Sequence, residues 1–306
     1  LLTHTHEDHV AGVHHFPDAR VLVHEADLIG IRSVDGLLQM FGMHGAVADA
    51  FRETLQRDFT YVARPDAIGV TDGHVVDLGD VTITFVHLPG HTAGHSGMLI
   101  EPDGVFVTGD IDLSSFGPLY GDTWSSVDDF ERSLVRAREI VADHYVTFHH
   151  KGVIDGRDDY VAAIDAFAAV IDRRESAMVA FADEPRSLDD FVAHRFVYRP
   201  HVTLPFVEPV ERRSAEMSIS RLVAAGRLRV LERLRSGEGS RECDPLDHVE
   251  RGVQGLGRRA LGYLDQERAL QERSLAAPQP SQGRALADRR GEVASVEPVP
   301  RSMRPA

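Results

Sequence analysis

The chain has 306 residues, 42% of them hydrophobic, with one cysteine and a formal net charge of -15. That length and apolar content suit one large domain plus a smaller one with a real core. The single thiol, Cys243, excludes an intrachain disulfide and a thiolate metal cluster, and no apolar run reaches the ~20 residues of a membrane span. With no signal-peptide pattern at its start, the chain is expected to be cytoplasmic. The acidity is uneven: residues 1–175 carry 29 Asp+Glu against 12 Lys+Arg, residues 176–236 carry 8 against 10, and residues 237–306 carry 11 against 11. An acidic first part repels nucleic acid at long range unless bound divalent cations reverse the sign locally.

In chain order, Leu1 to Thr3 read as the tail of a buried strand and Asp8 to Val13 as the opening turn of a helix. The segment 81–88 (VTITFVHL) alternates with the period of a half-buried strand, and 104–108 (GVFVT) is a short apolar run of strand type. Ser126, three positions before Asp129, predicts an N-cap for a helix carrying Phe130, Leu134 and Ile140. Tyr160, Ile164, Phe167 and Ile171 mark another helix at three- and four-residue steps. From Pro185 the order is short helix, Pro-punctuated loop, long helix, Gly226 and a strand-like run, the order of a small winged-helix module over 176–236. Residues 237–306, with one aromatic residue and many Gly, Pro, Ser, Gln and Arg, read as mostly disordered, with a transient helix near 258–274.

Residues 3–9, THTHEDH, crowd three histidines and two acids into seven positions. Packing so many ionisable groups together is costly unless a metal or solvent compensates. His4 and His6, two apart on an extended segment, project the same way and suit one cation; Asp8 and His9, past the bend, suit a second. His91 in PGHTAGH, Asp110 in TGD and the pair His149-His150 in TFHHKG follow at the ends of successive strand-like segments. Histidines outside these motifs read as surface or satisfied polar residues.

THTHEDH, PGHTAGH, TGD and a late histidine, in that order and spacing over residues 1–175, resemble the metallo-β-lactamase superfamily. The resemblance implies an α/β fold: an αββα sandwich lacking its first strands, since little precedes the first motif, followed by the winged-helix-like module. It implies a first metal on His4, His6 and His91, a second on Asp8, His9 and the late histidine, and Asp110 bridging both. The frequent GHGPVI pattern of the family puts His150 in the late position, with His149 as the alternative. Two divalent ions, Zn foremost with Mn or Fe also compatible, imply a hydrolase that uses a metal-bridging hydroxide on an ester, thioester or lactone-type bond of a small molecule. Asp8 or Asp110 is the candidate proton acceptor and donor.

Members with a C-terminal module of this kind, β-lactamase-like protein 2 among them, act on RNA, so a metal-dependent ribonuclease is the alternative. Against it, residues 176–236 show no dense basic stripe with interleaved aromatics. A metal-binding fragment without turnover is a third reading, and a homodimer contact would also account for the module. Residues 34–51 and 111–125 are expected to overhang the metals, with Met40, Phe41, Met43, Phe116, Tyr120 and Trp124 as candidate pocket residues.

Overall fold

The computed structural model describes residues 1–149, 151–204, 206–231 and 295–298. The chain divides into two compact units, Leu1–Ala177 with Val192–Ser218, and Met178–Phe191 with Ile219–Ala306.

The first unit is mixed α/β, as the sequence led us to expect. Its elements are α1 (Glu7–Val10), β1 (Leu22–His24), α2 (Leu28–Arg32), α3 (Val34–Met40), α4 (Gly45–Asp58), β2 (Ile68–Val70), β3 (Val75–Asp77), β4 (Thr82–His87), β5 (Ser96–Glu101), β6 (Val105–Gly109), α5 (Val127–Glu139), β7 (His144–Thr147) and β8 (Val153–Asp155). The long α6 (Arg157–Phe181) follows. Strands β3 to β8 form a six-stranded sheet in sequence order, and β1 and β2 a parallel pair. Leu1 to Thr3 form no strand, yet Leu2 N–H donates to Leu22 O at 2.9 Å and Ser96 N–H to Thr3 O at 2.8 Å, so the first residues are tied to both sheets.

Side-chain alternation builds the layers. In β4 to β7, Val86, Phe106 and Tyr145 face α5 and α6, where Phe130, Leu134, Tyr160, Ile164, Phe167 and Ile171 close the main core. Phe85 and Met98, on the opposite face, pack against Leu22 of β1 and Val70 of β2. Beyond the small sheet, Val21 and Val23 meet Ile31, Leu37, Leu38, Phe51 and Leu55 of α2 to α4. The result is the α/β/β/α layering. Each fully buried large apolar side chain in these layers contributes about 1.5–3 kcal/mol.

Helix α5 starts where the sequence predicts: Ser126 Oγ accepts from Asp129 N–H at 3.2 Å, with Asp128 and Asp129 in the first turn and Arg136 and Arg138 in the last. It serves as the crossover between β6 and β7, which are parallel; all other neighbours in the large sheet are antiparallel. Strands β4, β6 and β7 therefore run the same way, and their C-terminal ends share one edge of the sheet. Two glycines permit what happens there. Gly90 has φ +133°, and a Cβ on it would fall 2.4 Å from the backbone of Phe130. Gly109 has φ +59° at the register shift closing β6, and a Cβ on it would fall 2.6 Å from His95 Nε2.

The second unit contains β9 (Arg186–Ser187), the first turn of α7 (Leu188–His194), the end of α8 (Val207–Ala224), β10 (Leu228–Leu231) and β11 (Ser295–Pro298). Its strands form an antiparallel sheet in the order β10-β11-β9. Within it Phe181 and Phe191 meet edge to face at 5.3 Å, and the Arg186 guanidinium lies 4.7 Å from the Phe181 ring centre. The expected helix near 258–274 and the rest of the tail lie outside the described residues, apart from β11. No helix among the described residues is long and apolar enough to cross a membrane.

His24 and His87 stack at 3.8 Å with 8° between their planes, joining β1 to β4. Burial, with His87 adding to it, pushes His24 down to about 4, against a weaker opposing pull from Asp72. The unfolded chain then binds the extra proton between about pH 6.5 and 4, so this residue's contribution to stability is present above that window and is lost as pH falls through it. His24 Nδ1 accepts from Ala26 N–H at 3.3 Å, a bond the ring cannot make when doubly protonated. Wild type should lose stability over this range by up to ~1.4 kcal/mol per pH unit more than His24→Asn. Urea unfolding of both proteins at pH 7, 5.5 and 4.5 would measure this, and parallel pH profiles would refute it.

Candidate metal centre

The shared edge of the large sheet gathers the four sequence motifs. Residues 3–6 lead into α1, His91 lies on the loop between β4 and β5, Asp110 follows β6 and His149 follows β7. Ligand atoms of His4, His6, His91 and Asp110 form one group and those of Asp8, His9 and His149 another, each with all atoms within 4.8 Å of one another. Asp110 joins them: Oδ2 lies 3.1 Å from His91 Nε2, 3.9 Å from His4 Nε2 and 3.4 Å from His149 Nε2, while Oδ1 lies 2.8 Å from His9 Nε2. His149 Nε2 also lies 3.7 Å from Asp8 Oδ2. Among the described residues it is His149, the alternative in the sequence reading, that stands in this group. His150, the preferred residue, lies outside the described residues.

The rings are held from behind. His91 Nδ1–H donates to Leu119 O at 2.8 Å, which turns the Nε2 lone pair inward. His6 Nε2 lies 2.7 Å from Asp122 Oδ2, so its Nε2–H donates outward and Nδ1, 3.0 Å from His91 Nε2, faces the centre. Thr3 Oγ1 lies 3.2 Å from His4 Nδ1 and 3.3 Å from His9 Nδ1. One hydroxyl oxygen with two lone pairs can accept from both rings and point both Nε2 atoms inward. His95 takes no such place: its Nδ1–H donates to Leu88 O at 3.0 Å and its Nε2 accepts Asp110 N–H at 3.0 Å. Buried Asp27 accepts from Thr92 Oγ1–H and Gly94 N–H, each at 2.7 Å, and so fixes the loop that carries His91.

Do these residues suit metal ions? His4 Nε2, His9 Nε2 and Asp110 Oδ1 are buried and have no hydrogen-bond partner among the described residues. The 2.8 Å approach of His9 to Asp110 lacks hydrogen-bond geometry. Three converging orphan atoms, all nitrogen or carboxylate oxygen, fit a divalent cation. Protonation tells the same story. Burial, reinforced by His9, pushes His4 well down, leaving a lone pair free. Burial alone would push Asp110 up, but His91 and the adjacent rings of His149 and His9 outweigh it and hold the carboxyl well below its usual range. Burial also opposes charge on His6, yet Asp122 pushes that ring up to about 10, so a cation at Nδ1 competes with a proton there.

A pocket opens onto the centre, lined by the carboxylates of Glu7, Asp8, Asp110 and Asp122, the rings of His6, His91 and His149, and otherwise mainly by aromatic and aliphatic residues. Of the six candidate pocket residues, Phe41 and Met43 line it. Met40 is buried in the α2 to α4 core, Tyr120 in the main core, Trp124 packs against the former, and Phe116 is part-exposed. The sequence reading missed Thr3, Asp122, Phe51, Leu119, Tyr198 and Phe206. For the last two the only signal was an aromatic in a Pro-rich stretch, and no spacing rule connects either to the metal motifs.

Residues 1–149 match the family model described as the metallo-beta-lactamase superfamily. This part of the chain belongs to that superfamily. The chain is 28% identical over 177 residues to acyl-coenzyme A thioesterase MBLAC2 of Bos taurus, and over 174 residues to that of Homo sapiens. Each alignment covers 53% of this chain, which spans 61% of the length of these curated relatives. In fold it is similar to a metallo-beta-lactamase family protein of Thermus thermophilus, with TM-score 0.55, 23% identity and 75% of each chain covered. A beta-lactamase domain protein of Burkholderia ambifaria gives TM-score 0.54 and 21% identity, covering 75% of this chain and 70% of that one.

Elemental analysis after gel filtration should find metal bound to the wild-type chain and clearly less on His4→Ala. Asp122→Ala, which leaves His6 unoriented, should weaken Zn binding about 10–100-fold in a chelator competition. Unchanged affinity would remove Asp122 from the centre.

Proposed function

We propose that the chain is a metal-dependent hydrolase with two divalent cations, held by His4, His6 and His91 and by Asp8, His9 and His149, with Asp110 between them. The observation that carries this reading is the sharing of one buried carboxylate by two donor groups that open together onto a pocket. Divalent ions there supply Lewis acidity toward a carbonyl oxygen and lower the pKa of water. The chain's own residues do the rest. Thr3, Asp122 and Leu119 O hold the rings in their ligating tautomers, and Asp110 carries the negative charge that compensates two cations. Asp8, with 35% of its side chain exposed, is the ligand-type carboxylate best placed to pass a proton to a leaving group.

The pocket favours a carbonyl substrate. Among the described residues no Lys or Arg lines it, so the cations would be the only countercharge to a phosphodiester, and the carboxylates of Glu7 and Asp122, which hold no cation in this reading, disfavour an anionic substrate. An ester or thioester of an uncharged acyl group meets apolar walls beside the centre, and the relatives named acyl-coenzyme A thioesterase favour the thioester.

With Zn, Mn or Fe added, an acyl thioester or p-nitrophenyl ester should turn over at least about tenfold faster than bis-p-nitrophenyl phosphate; the reverse ranking overturns the substrate reading. Asp110→Ala should lose about 100-fold or more in kcat/KM, the loss of several kcal/mol of charge stabilisation. Full activity in that variant would end the assignment of Asp110.

A further inference from the structure

The far wall of the pocket comes from chain that follows the residues matched to the superfamily. Tyr198, Phe206 and Val210 stand there, and Phe41, Met43 and Phe51 complete the apolar lining. Residues 195–204 are irregular, yet they are held by two buried or half-buried charges whose partners among the described residues are backbone groups. The Glu211 carboxylate, 2% exposed, accepts from three successive N–H groups: Phe196 at 3.0 Å, Val197 at 3.1 Å and Tyr198 at 2.6 Å. The Arg195 guanidinium donates to Val202 O at 2.7 Å and Pro200 O at 3.2 Å. An anion thus gathers the donors of one limb and a cation the acceptors of the other, by charge-assisted bonds roughly twice as strong as neutral ones.

This wall is registered on the loop that orients the ligand rings. Val210 packs so closely on Gly121 that a Cβ there would fall 2.5 Å from Val210 Cγ1. One turn on, Ser214 Oγ–H donates to Tyr120 O. Asp122, the partner of His6, follows directly, and Leu119, the acceptor for His91, directly precedes Tyr120. Tyr198, Phe206, Pro209 and Val210 make the lining contributed by this segment aromatic and aliphatic, and the carboxylates of Glu7 and Asp122 also line the pocket.

We propose that Tyr198, Phe206 and Val210, with the 196–198 backbone set in place by Glu211, form an acyl-recognition wall that selects uncharged apolar acyl groups over short or anionic ones. The proposal rests on the hydrolase reading of the adjacent centre. Glu211 is a positioning residue; Tyr198 and Phe206 meet the acyl chain. Preorganised by buried charges, the wall requires little ordering when the substrate enters.

The test uses the Zn-loaded chain with octanoyl, acetyl and succinyl thioesters of N-acetylcysteamine, which share an uncharged leaving group. Octanoyl should exceed acetyl in kcat/KM by about tenfold and succinyl by more. Phe206→Ala should lower the octanoyl-to-acetyl ratio about tenfold, and Glu211→Gln should move it the same way, mainly through KM, with metal content held. Equal ratios in wild type and both variants, or succinyl turned over as fast as octanoyl, would overturn the proposal. Calorimetric binding of 2-octanone to wild type and Phe206→Ala keeps the result separate from the hydrolase reading. If no thioester is cleaved but the ketone binds and Phe206→Ala weakens it, the wall stands and the reaction assignment fails. If Phe206→Ala binds the ketone as wild type does, the wall fails whatever the turnover.

Discussion

The carboxylate of Asp110 is the constraint on which the rest depends. It is largely buried, with imidazoles of four histidines near its two oxygens. Burying this many polar groups without full hydrogen bonding is unfavourable by several kcal/mol in an ordinary core. The three orphan atoms among them are tolerable if cations take the place of the missing partners. The site therefore stores a demand for positive charge, and the surrounding fold keeps that demand from being met by collapse. Each of the rings of His4, His6, His9 and His91 is fixed from behind by a group that is not a ligand, so their lone pairs cannot turn away.

Convergence on Asp110 follows from strand direction. Two antiparallel steps bring β6 parallel to β4, and the α5 crossover makes β7 parallel to both. Three loops then leave the same edge, carrying His91, Asp110 and His149. Ser96 N–H brings the histidines of residues 3–9 to that edge by holding Thr3 O. Gly90 and Gly109 allow backbone paths that a side chain would block, and buried Asp27 replaces the missing ladder partners of the His91 loop. The centre is the product of topology and a few local devices, none of which requires a new element of structure.

The groups that hold the histidine rings and those that shape the pocket wall meet on one short loop. Residues 118–122 present Leu119 O to His91, Asp122 to His6, and Gly121 and Tyr120 O to α8. From the other side Arg174 donates to Pro118 O and, at 2.6 Å, to Phe116 O, with its guanidinium 5.4 Å from the Phe116 ring centre. A shift of this loop would move the candidate ligand rings and the pocket wall together. Under the proposed function, that coupling would link substrate binding to the orientation of those rings, through contacts rather than distance.

Much of this was legible in one dimension because it depends on short-range periodicity. The spacing in THTHEDH, the alternation of 81–88, the Ser126 cap and the three- and four-residue steps of α6 each state local geometry; the strand forms over 82–87, and the helix after Ser126 stops just before Ile140. Resemblance named a candidate ligand set and left its late member open between His149 and His150, adjacent residues whose order says nothing about which faces the centre; φ +59° at His149 is a property of the folded loop. The roles of Asp122, Thr3 and the pocket-lining Tyr198, Phe206 and Val210 were not legible. Asp122 reaches His6 across 116 positions, and Glu211 takes its role from three N–H groups of a loop without pattern. The sequence by itself determined which side chains could bind a cation and where β4, β6, α5 and α6 would form, since both are set by residue type and near neighbours. Only the tertiary structure decided which rings are held, which are committed to backbone groups and what walls the pocket, because those depend on contacts between residues that are far apart along the chain.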